Sequence, residues 1–438
     1  MSKDTIYALS SASGQAGVAV IRVSGDKVKD VFNILTGKDN IKNRYVQCNY
    51  IYDENKNVID QVVLIYFQSP NSFTGEDVLE IQCHGSRAVI QKILKTLSCI
   101  DGCRMAERGE FTRRAVYNQK MDLTSAEGLL DLIQSDTEAQ RQWAIRQMGG
   151  ELQKIYDGWR DVLVHQLAYL EAFIDFPEEE IPSSRMNEIN NQINELIEKI
   201  QKHLSAGEKG QMLKDGFKIA IIGAPNVGKS SIINKLSKKD VAITSEIAGT
   251  TRDVVEVWLD VSGYPVVIAD TAGIHESDEL IEKEGIKRAL QRAEDADLVI
   301  AVGDATKYPV FDEKIEEVCR KAKKVIRVFN KKDLIDKDIA DLCVSAHTDE
   351  NIDVLWNEIS LVVENEMGKS DDPMLTRLRY KECLEDCLNN LKHFYLVDEL
   401  ELKTEDIRLA SRALGKITGR VEIDEIFDII FSSFCIGK

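Results

Sequence analysis

The chain has 438 residues, 43% of them hydrophobic and 30% charged, a globular composition long enough for two to four domains at roughly 100–200 residues each. Its 56 Lys and Arg stand against 74 Asp and Glu, and a net charge of -18 excludes indiscriminate nucleic-acid binding by the whole molecule. No run approaches the ~18 consecutive apolar residues of a membrane span, which excludes a membrane-spanning class.

The first twenty residues lack a charged segment followed by an apolar one, so no signal peptide is expected. The nine cysteines are scattered. Cys99/Cys103 and Cys383/Cys387 lie four apart with no second ligand cluster at zinc-like spacing, and a reduced, cytoplasmic protein is expected.

Residues 1–118 mix strand-like runs (GVAVIRV at 17–23, VVLIYF at 62–67, DVLEIQC at 77–83) with a helical pattern at 87–98, which predicts a small α+β or α/β domain. The run Arg104, Arg108, Arg113, Arg114 and Lys120 is the best local candidate for an RNA-binding patch, and it equally suits solvated helix-surface charge. Residues 119–212 read as helical. Met186, Ile189, Ile193, Leu196, Ile197, Ile200 and Leu204 recur three and four apart as one amphipathic stripe. Pro182-Ser183-Ser184 precedes it as turn and cap, and Ala206-Gly207 follows it.

Residues 213–368 alternate strand and helix, beginning with FKIAIIG. Residues 369–438 open on a GKSDDP linker and return to helix, with Ile423, Ile426, Phe427, Ile430, Phe431 and Phe434 along one face. Helix, α/β, then helix again predicts an α/β domain inserted into an all-α domain, the whole preceded by the small N-terminal α/β domain.

GAPNVGKS at 223–230 follows an apolar strand and precedes a helical run, the strand–loop–helix context of a P-loop. Asn226, Val227 and Gly228 form the loop; its backbone N–H groups and the helix N-terminus suit phosphates. Lys229 would reach the β and γ oxygens, and Ser230 would offer its hydroxyl to Mg2+. Asp270-Thr271-Ala272-Gly273 ends the strand YPVVIAD, where an acid suits the metal shell and the Gly273 N–H the γ-phosphate.

Asn330-Lys331-Lys332-Asp333 ends KVIRVFN, and Asp333 can accept from the N1–H and exocyclic amine of guanine, with Ser345-Ala346 supporting the base from its other side. Four such elements in order imply GTP as ligand. Between the first two lies Ile247-Ala248-Gly249-Thr250-Thr251, where a threonine that meets Mg2+ only beside a γ-phosphate acts as a switch; Thr251 is chosen over Thr250. Ile274 stands where Ras-like enzymes place a water-orienting glutamine. Glu282 can position water instead, although it also suits an exposed helix charge among Glu279, Glu282 and Glu284.

GAPNVGKSS, IAGTTRD, DTAG, NKKD and the terminal FCIGK together resemble the MnmE (TrmE) family of tRNA-modification GTPases. FTGEDVLEIQCHG at 73–85 and ERGEFTRRAVYNQKMDLTSAEGLLDLI at 107–133 extend the resemblance to the whole chain. It implies a folate-binding N-terminal domain that forms a homodimer, a helical domain and an inserted G domain. It also implies an FAD-containing partner, MnmG (GidA), with which an aminomethyl-type group is installed on carbon 5 of the tRNA wobble uridine. A tetrahydrofolate derivative (5-formyl or methylene form) would donate the carbon.

The resemblance adds Ser231, Ser245 and Glu246 to the nucleotide contacts. It assigns K+ to Asn226, Ser245, Ile247 and Thr250, and makes Glu282 the water-orienting residue. A monovalent cation against the phosphates can supply the charge that an arginine finger gives elsewhere. For folate, Arg22, Glu80, Lys120 and Lys438 match the family's positions; by themselves Arg22 and Glu80 equally suit a structural ion pair. Cys435 is a candidate tail residue, as nucleophile or as packing. His275 departs from the arginine of many relatives, and the second lysine of NKKD is expected to point outward. A ribosome-assembly GTPase is the alternative reading; it would be expected to carry a basic RNA-binding module, and this acidic chain shows none.

Overall fold

The computed structural model describes residues 4–176, 182–205, 207–239, 256–269, 295–337, 339–368, 375–421 and 430–437. Its contacts divide the chain into two units. One comprises Met1–Leu130, Gln147–Asp161 and Leu414–Lys438; the other comprises Asp131–Arg146 and Val162–Ala413.

The first unit is built on a six-stranded sheet of β1 (Thr5–Leu9), β2 (Ala16–Ser24), β3 (Val46–Tyr52), β4 (Val58–Phe67), β5 (Val78–Gly85) and β6 (Cys103–Met105). The order is β3-β4-β5-β2-β1-β6, antiparallel except for the β1–β6 pair. Alternation along the strands sends Ile21, Val23, Leu64 and Ile81 to one face, where Phe32 of helix Val28–Thr36 and Ile93 and Leu97 of helix Arg87–Ser98 cover them. Ser86 starts the latter helix, its side chain accepting from the Val89 N–H at 3.2 Å.

Three strands escape the sequence reading. β6 is three residues long, β1 is five residues long and runs straight into small and polar residues, and β3 (VQCNYIY) carries polar residues among its apolar ones; each is a strand because a neighbour pairs with it.

The basic run is not solvated charge as a whole, because two of its members are held in ion pairs. Arg114 has a side chain only 6% exposed and donates to Glu110 at 3.0 Å and to Glu76 at 3.0 Å. Arg104 pairs with Glu110 at 2.6 Å and with Asp4 at 3.3 Å. Helix Glu110–Tyr117 turns this face inward because Phe111, on the same helix, packs with Ile6, Ala8 and Ala106. Arg108 and Lys120 remain exposed. Ile430, Phe431 and Phe434 bury against Leu123, Ala126 and Leu130; Ile423, Ile426 and Phe427 lie outside the described residues.

The second unit holds a five-stranded sheet of β7 (Phe217–Gly223), β8 (Glu256–Val261), β9 (Tyr264–Ala269), β10 (Leu298–Asp304) and β11 (Val325–Asn330), in the order β11-β10-β7-β9-β8. All pairs but the β8–β9 hairpin are parallel. Ile219 and Ile221 face one core with helix Ile352–Met367; Ala220 and Ile222 face the other with Val318 and Cys319 of helix Glu313–Lys321. Burial on both faces is why these strands read as unbroken apolar runs.

Helix Ser183–Ser205 carries the expected stripe, with Ile189, Ile193, Leu196 and Ile200 buried, and packs on helix Leu378–His393. Ser183 and Ser184 lie inside it rather than before it. Gly207 opens a further helix, Gly207–Asp215, instead of ending the region, because Leu213 and Met212 pack into the core of the α/β sheet. Among the described residues, no helix is long and apolar enough to cross a membrane.

The buried ion pairs of the first unit yield a stability prediction. Burial by itself would push the Glu110 carboxyl up, but Arg104, the Glu107 N–H and Arg114 hold it below the usual carboxylate range. A carboxyl depressed in the folded state adds stability above its unfolded value and loses it as pH falls through the folded one. Arg114→Met, which takes one partner from each of two carboxylates, should cost about 1–3 kcal/mol in urea unfolding at neutral pH. Glu110→Gln should flatten the acid loss of stability relative to the parent.

Candidate nucleotide-binding site

β7 stops at Gly223 and helix Lys229–Leu236 begins six residues later. The turn between them is made by positive φ at Asn226 (60°) and Gly228 (95°). A Cβ on Gly228 would overlap the Asn330 side-chain nitrogen, so glycine is required by packing as well as by φ. Val227 is buried in the sheet core and anchors the loop. The Lys229 ammonium folds over it, donating to the carbonyls of Gly223 at 2.9 Å and Ala224 at 3.0 Å. Asn226, Ser230 and Ser231 are exposed around the same turn.

Asn330, at the end of β11, is 4% exposed. Its Nδ2 donates to the Val227 carbonyl at 2.8 Å and its Oδ1 accepts from the Ala346 N–H at 3.0 Å. One amide therefore ties the phosphate loop to the 345–346 loop. Backbone bonds hold that loop beside β11: Phe329 N–H to Leu342 O and Val344 N–H to Phe329 O, both 2.8 Å, and Lys332 N–H to Val344 O at 3.0 Å.

Ser345 Oγ donates to Asp333 Oδ1 at 2.6 Å, which holds the Asp333 carboxyl below its ordinary range. Lys331 sits at φ 71° and its ammonium meets Asp304 at 2.7 Å. Burial would raise the Asp304 carboxyl, yet Lys331 and Thr306 bring it below its usual value. Lys332 pairs with Glu350 at 2.7 Å, its side chain 27% exposed.

Asp304 escapes the sequence reading, although the signal was there: LVIAVGD ends in an acid just as YPVVIAD does. Ser245, Glu246, Ile247, Ala248, Gly249, Thr250, Thr251, Asp270, Thr271, Ala272, Gly273, His275, Glu282 and Lys438 lie outside the described residues.

In the first unit, Arg22 and Glu80 sit opposite each other in the β2–β5 register and form an ion pair at 2.9 Å. The guanidinium lies 5.0 Å from the Phe73 ring centre and 5.7 Å from that of Phe111. Gly75, two residues beyond Phe73, packs on the Lys120 stem, whose Cγ and Cδ would lie 3.2 Å from a Cβ there. One loop thus touches both Arg22 and Lys120. Phe73 escapes the sequence reading because an aromatic in a loop carries no periodic signal. Cys435 is exposed.

A mostly parallel α/β sheet with a glycine-turned loop under Lys229 after β7, and with Asp333 and Ser345 joined by hydrogen bond beyond the end of β11, two strands away, defines the class as a P-loop GTPase. A family model described as "MnmE helical domain" matches residues 123–435, and one described as "GTP-binding protein TrmE N-terminus" matches residues 5–120. The tRNA modification GTPase MnmE of Rickettsia conorii is 44% identical over 447 residues, covering 99% of this chain and 100% of the relative. That of Rickettsia canadensis is 45% identical over 448 residues with the same coverage. The chain belongs to the MnmE (TrmE) family of tRNA-modification GTPases. The G domain of the T. maritima FeoB iron transporter shares 26% identity, with 33% of this chain and 98% of that one covered, at a TM-score of 0.24, too low for the superposition to bear on the fold.

Removing the bridging amide tests the architecture without any ligand. Asn330→Ala leaves the Val227 carbonyl and the Ala346 N–H unpaired in a buried place and should lower unfolding stability by about 1–3 kcal/mol, read by chemical denaturation.

Proposed function

We propose that this chain hydrolyses GTP in a K+-stimulated cycle coupled, with the flavoprotein partner MnmG/GidA, to modification of tRNA. The group added is aminomethyl or carboxymethylaminomethyl, at carbon 5 of the wobble uridine. FAD belongs to the partner alone. The observation that carries the reading is the Asn330 amide, which fixes the loop under Lys229 beside the Asp333–Ser345 pair. That spacing suits a ligand with phosphates at one end and a guanine edge at the other. Residues 213–368 would be the G domain, set between helical segments 119–212 and 369–438 and preceded by the folate and dimerisation domain 1–118.

In this reading Lys229 holds the β and γ oxygens. The backbone of residues 226–231 wraps the phosphates, Asp333 accepts from guanine, and Lys331 and Ala346 flank the base. Ser245, Glu246, Ile247, Ala248, Gly249 and Thr250 close over the nucleotide, with Asp270, Thr271, Ala272 and Gly273 at the γ-phosphate. Ser230 and Thr251 hold Mg2+. Ser230 fits, because its hydroxyl is exposed in the first helical turn and makes no hydrogen bond among the described residues. Mg2+ would neutralise charge on the β and γ oxygens.

Asn226 fits K+ on the same ground, exposed at φ 60° with no partner among the described residues, and Ser245, Ile247 and Thr250 would complete its shell. Glu282 orients the attacking water.

For the tetrahydrofolate derivative, the Arg22–Glu80 pair between Phe73 and Phe111 fits a flat ring with donor and acceptor edges, while Lys120 and Lys438 suit its glutamate tail. Cys435 remains the candidate tail residue. A homodimer through this domain is supported by the outer part of the same sheet face. There Val46, Cys48 and Tyr50 of β3 are exposed beside Val63 and Ile65 of β4. In this reading the reaction is cytoplasmic, alongside its tRNA substrate.

GTP turnover should rise at least ~10-fold when K+ replaces Na+, as expected for a charge supplied at the phosphates; equal rates in the two salts would remove the cation from the cycle. Glu282→Ala should keep nucleotide affinity and lose about 100-fold or more in kcat. Mass analysis of wobble uridines from cells lacking this protein should show the carbon-5 group missing, and intact modification would overturn the proposal.

A further inference from the structure

Gly437 adopts φ 103°, and a Cβ built on it would overlap the Leu9 carbonyl oxygen and lie 3.0 Å from Ser10 Cα. The obstructing atoms cannot yield cheaply, because they are backbone at the end of β1, a strand paired on both sides. The Gly437 carbonyl accepts from Ser10 Oγ at 2.9 Å. Ser10 is itself fixed, donating its N–H to the Val20 carbonyl at 2.7 Å.

Two further attachments precede this one. Ile436 forms an antiparallel bridge with Arg108, and the Cys435 carbonyl accepts from the Gly109 N–H at 3.4 Å. Gly109, at φ 64°, is a second place where no side chain fits, since a Cβ there would come 2.8 Å from the Phe431 carbonyl oxygen. Yet Cys435 and Ile436 stay exposed while Gly437 is buried. Chain that was only packing would bury its side chains. Here the backbone is held and the side chains are left outward. Leu9 also directly follows Ala8, which pairs with Arg22.

We infer that Gly437 and Ser10 form a latch that holds the Cys435–Gly437 segment in register at the end of β1, the strand that pairs with the strand carrying Arg22. Both are positioning residues for the folate-dependent step, and they belong to the unit that does not carry the phosphate loop. This inference rests on the folate reading above. A left-handed glycine against a backbone carbonyl makes the latch intolerant of any side chain, and the Ser10 hydroxyl sets how far along β1 the segment lies.

The test uses the full chain with its flavoprotein partner and 5-formyl-tetrahydrofolate as probe, comparing Gly437→Ala, Ser10→Ala and Ser10→Thr with the parent. In Gly437→Ala, amide hydrogen exchange over residues 430–437 should speed up about 10-fold. The apparent KM for the folate should rise and tRNA modification should fall about 100-fold, the cost of an ångström-scale misplacement. GTP turnover and the urea midpoint should stay at the parent's values. Ser10→Ala should move the same readouts in the same direction, and Ser10→Thr, which keeps the hydroxyl, should restore them.

Unchanged exchange in Gly437→Ala would overturn the latch. Faster exchange with undiminished modification would overturn its positioning role, and a matching fall in the urea midpoint would reassign Gly437 to general folding. If the parent protein itself neither binds the folate nor supports modification, the functional reading fails, while the exchange comparison still decides whether the latch exists.

Discussion

A buried amide holds the candidate nucleotide site together. Asn330 donates to a loop more than a hundred residues earlier and accepts from one sixteen residues later, and both bonds lie out of water. A buried polar group must be paired or it costs the stability of the fold, so its two partners fix the relative height of three loops. The rest follows from that height. Gly228 can carry no Cβ because the amide occupies the space, and Lys229 can therefore start its helix directly over the turn. Ser345 reaches Asp333 because Ala346, next to it, is already tied down.

The first unit uses charge where the second uses an amide. Arg114 and Arg104 converge on Glu110, and Arg114 also holds Glu76, in the loop that carries Phe73. Ser24 donates to the same Glu76 at 2.7 Å, and Asn118 donates to the Thr74 carbonyl at 2.7 Å. This loop contains no regular element of its own, yet strand, helix and carboxylates fix it from several directions. Buried pairs of this kind add less to net stability than to the uniqueness of one arrangement, since each charge left alone would be expensive. The arrangement they select sets two aromatic rings about Arg22.

Glycine recurs at three close approaches of the chain to itself, for a common reason. At residues 109, 228 and 437 the chain takes a positive φ and another part of the molecule occupies the space a side chain would need. In each case backbone meets backbone or amide at close range, which lets hydrogen bonds rather than apolar packing set the position. Directional contacts fix position more sharply than the hydrophobic effect, which is indifferent to orientation.

By itself the sequence determined the local facts. The strand 217–222, the glycine turn and the lysine after it, the amphipathic stripe from Ile189 to Ile200 and the doubly buried parallel strands were all legible, because periodicity and turn chemistry are written in neighbouring residues. What only the tertiary structure decided was which distant residues meet. Arg114 looked like surface charge until Phe111 turned its helix inward, and the Gly207 that looked like a stop began a helix because Leu213 found a core. Asn330 reaching Val227, and Gly437 lying on Leu9, are long-range events with no periodic trace in the sequence. Local free energy chooses the conformation of a segment, whereas the choice of its partner depends on surfaces that exist only once the other segments have folded.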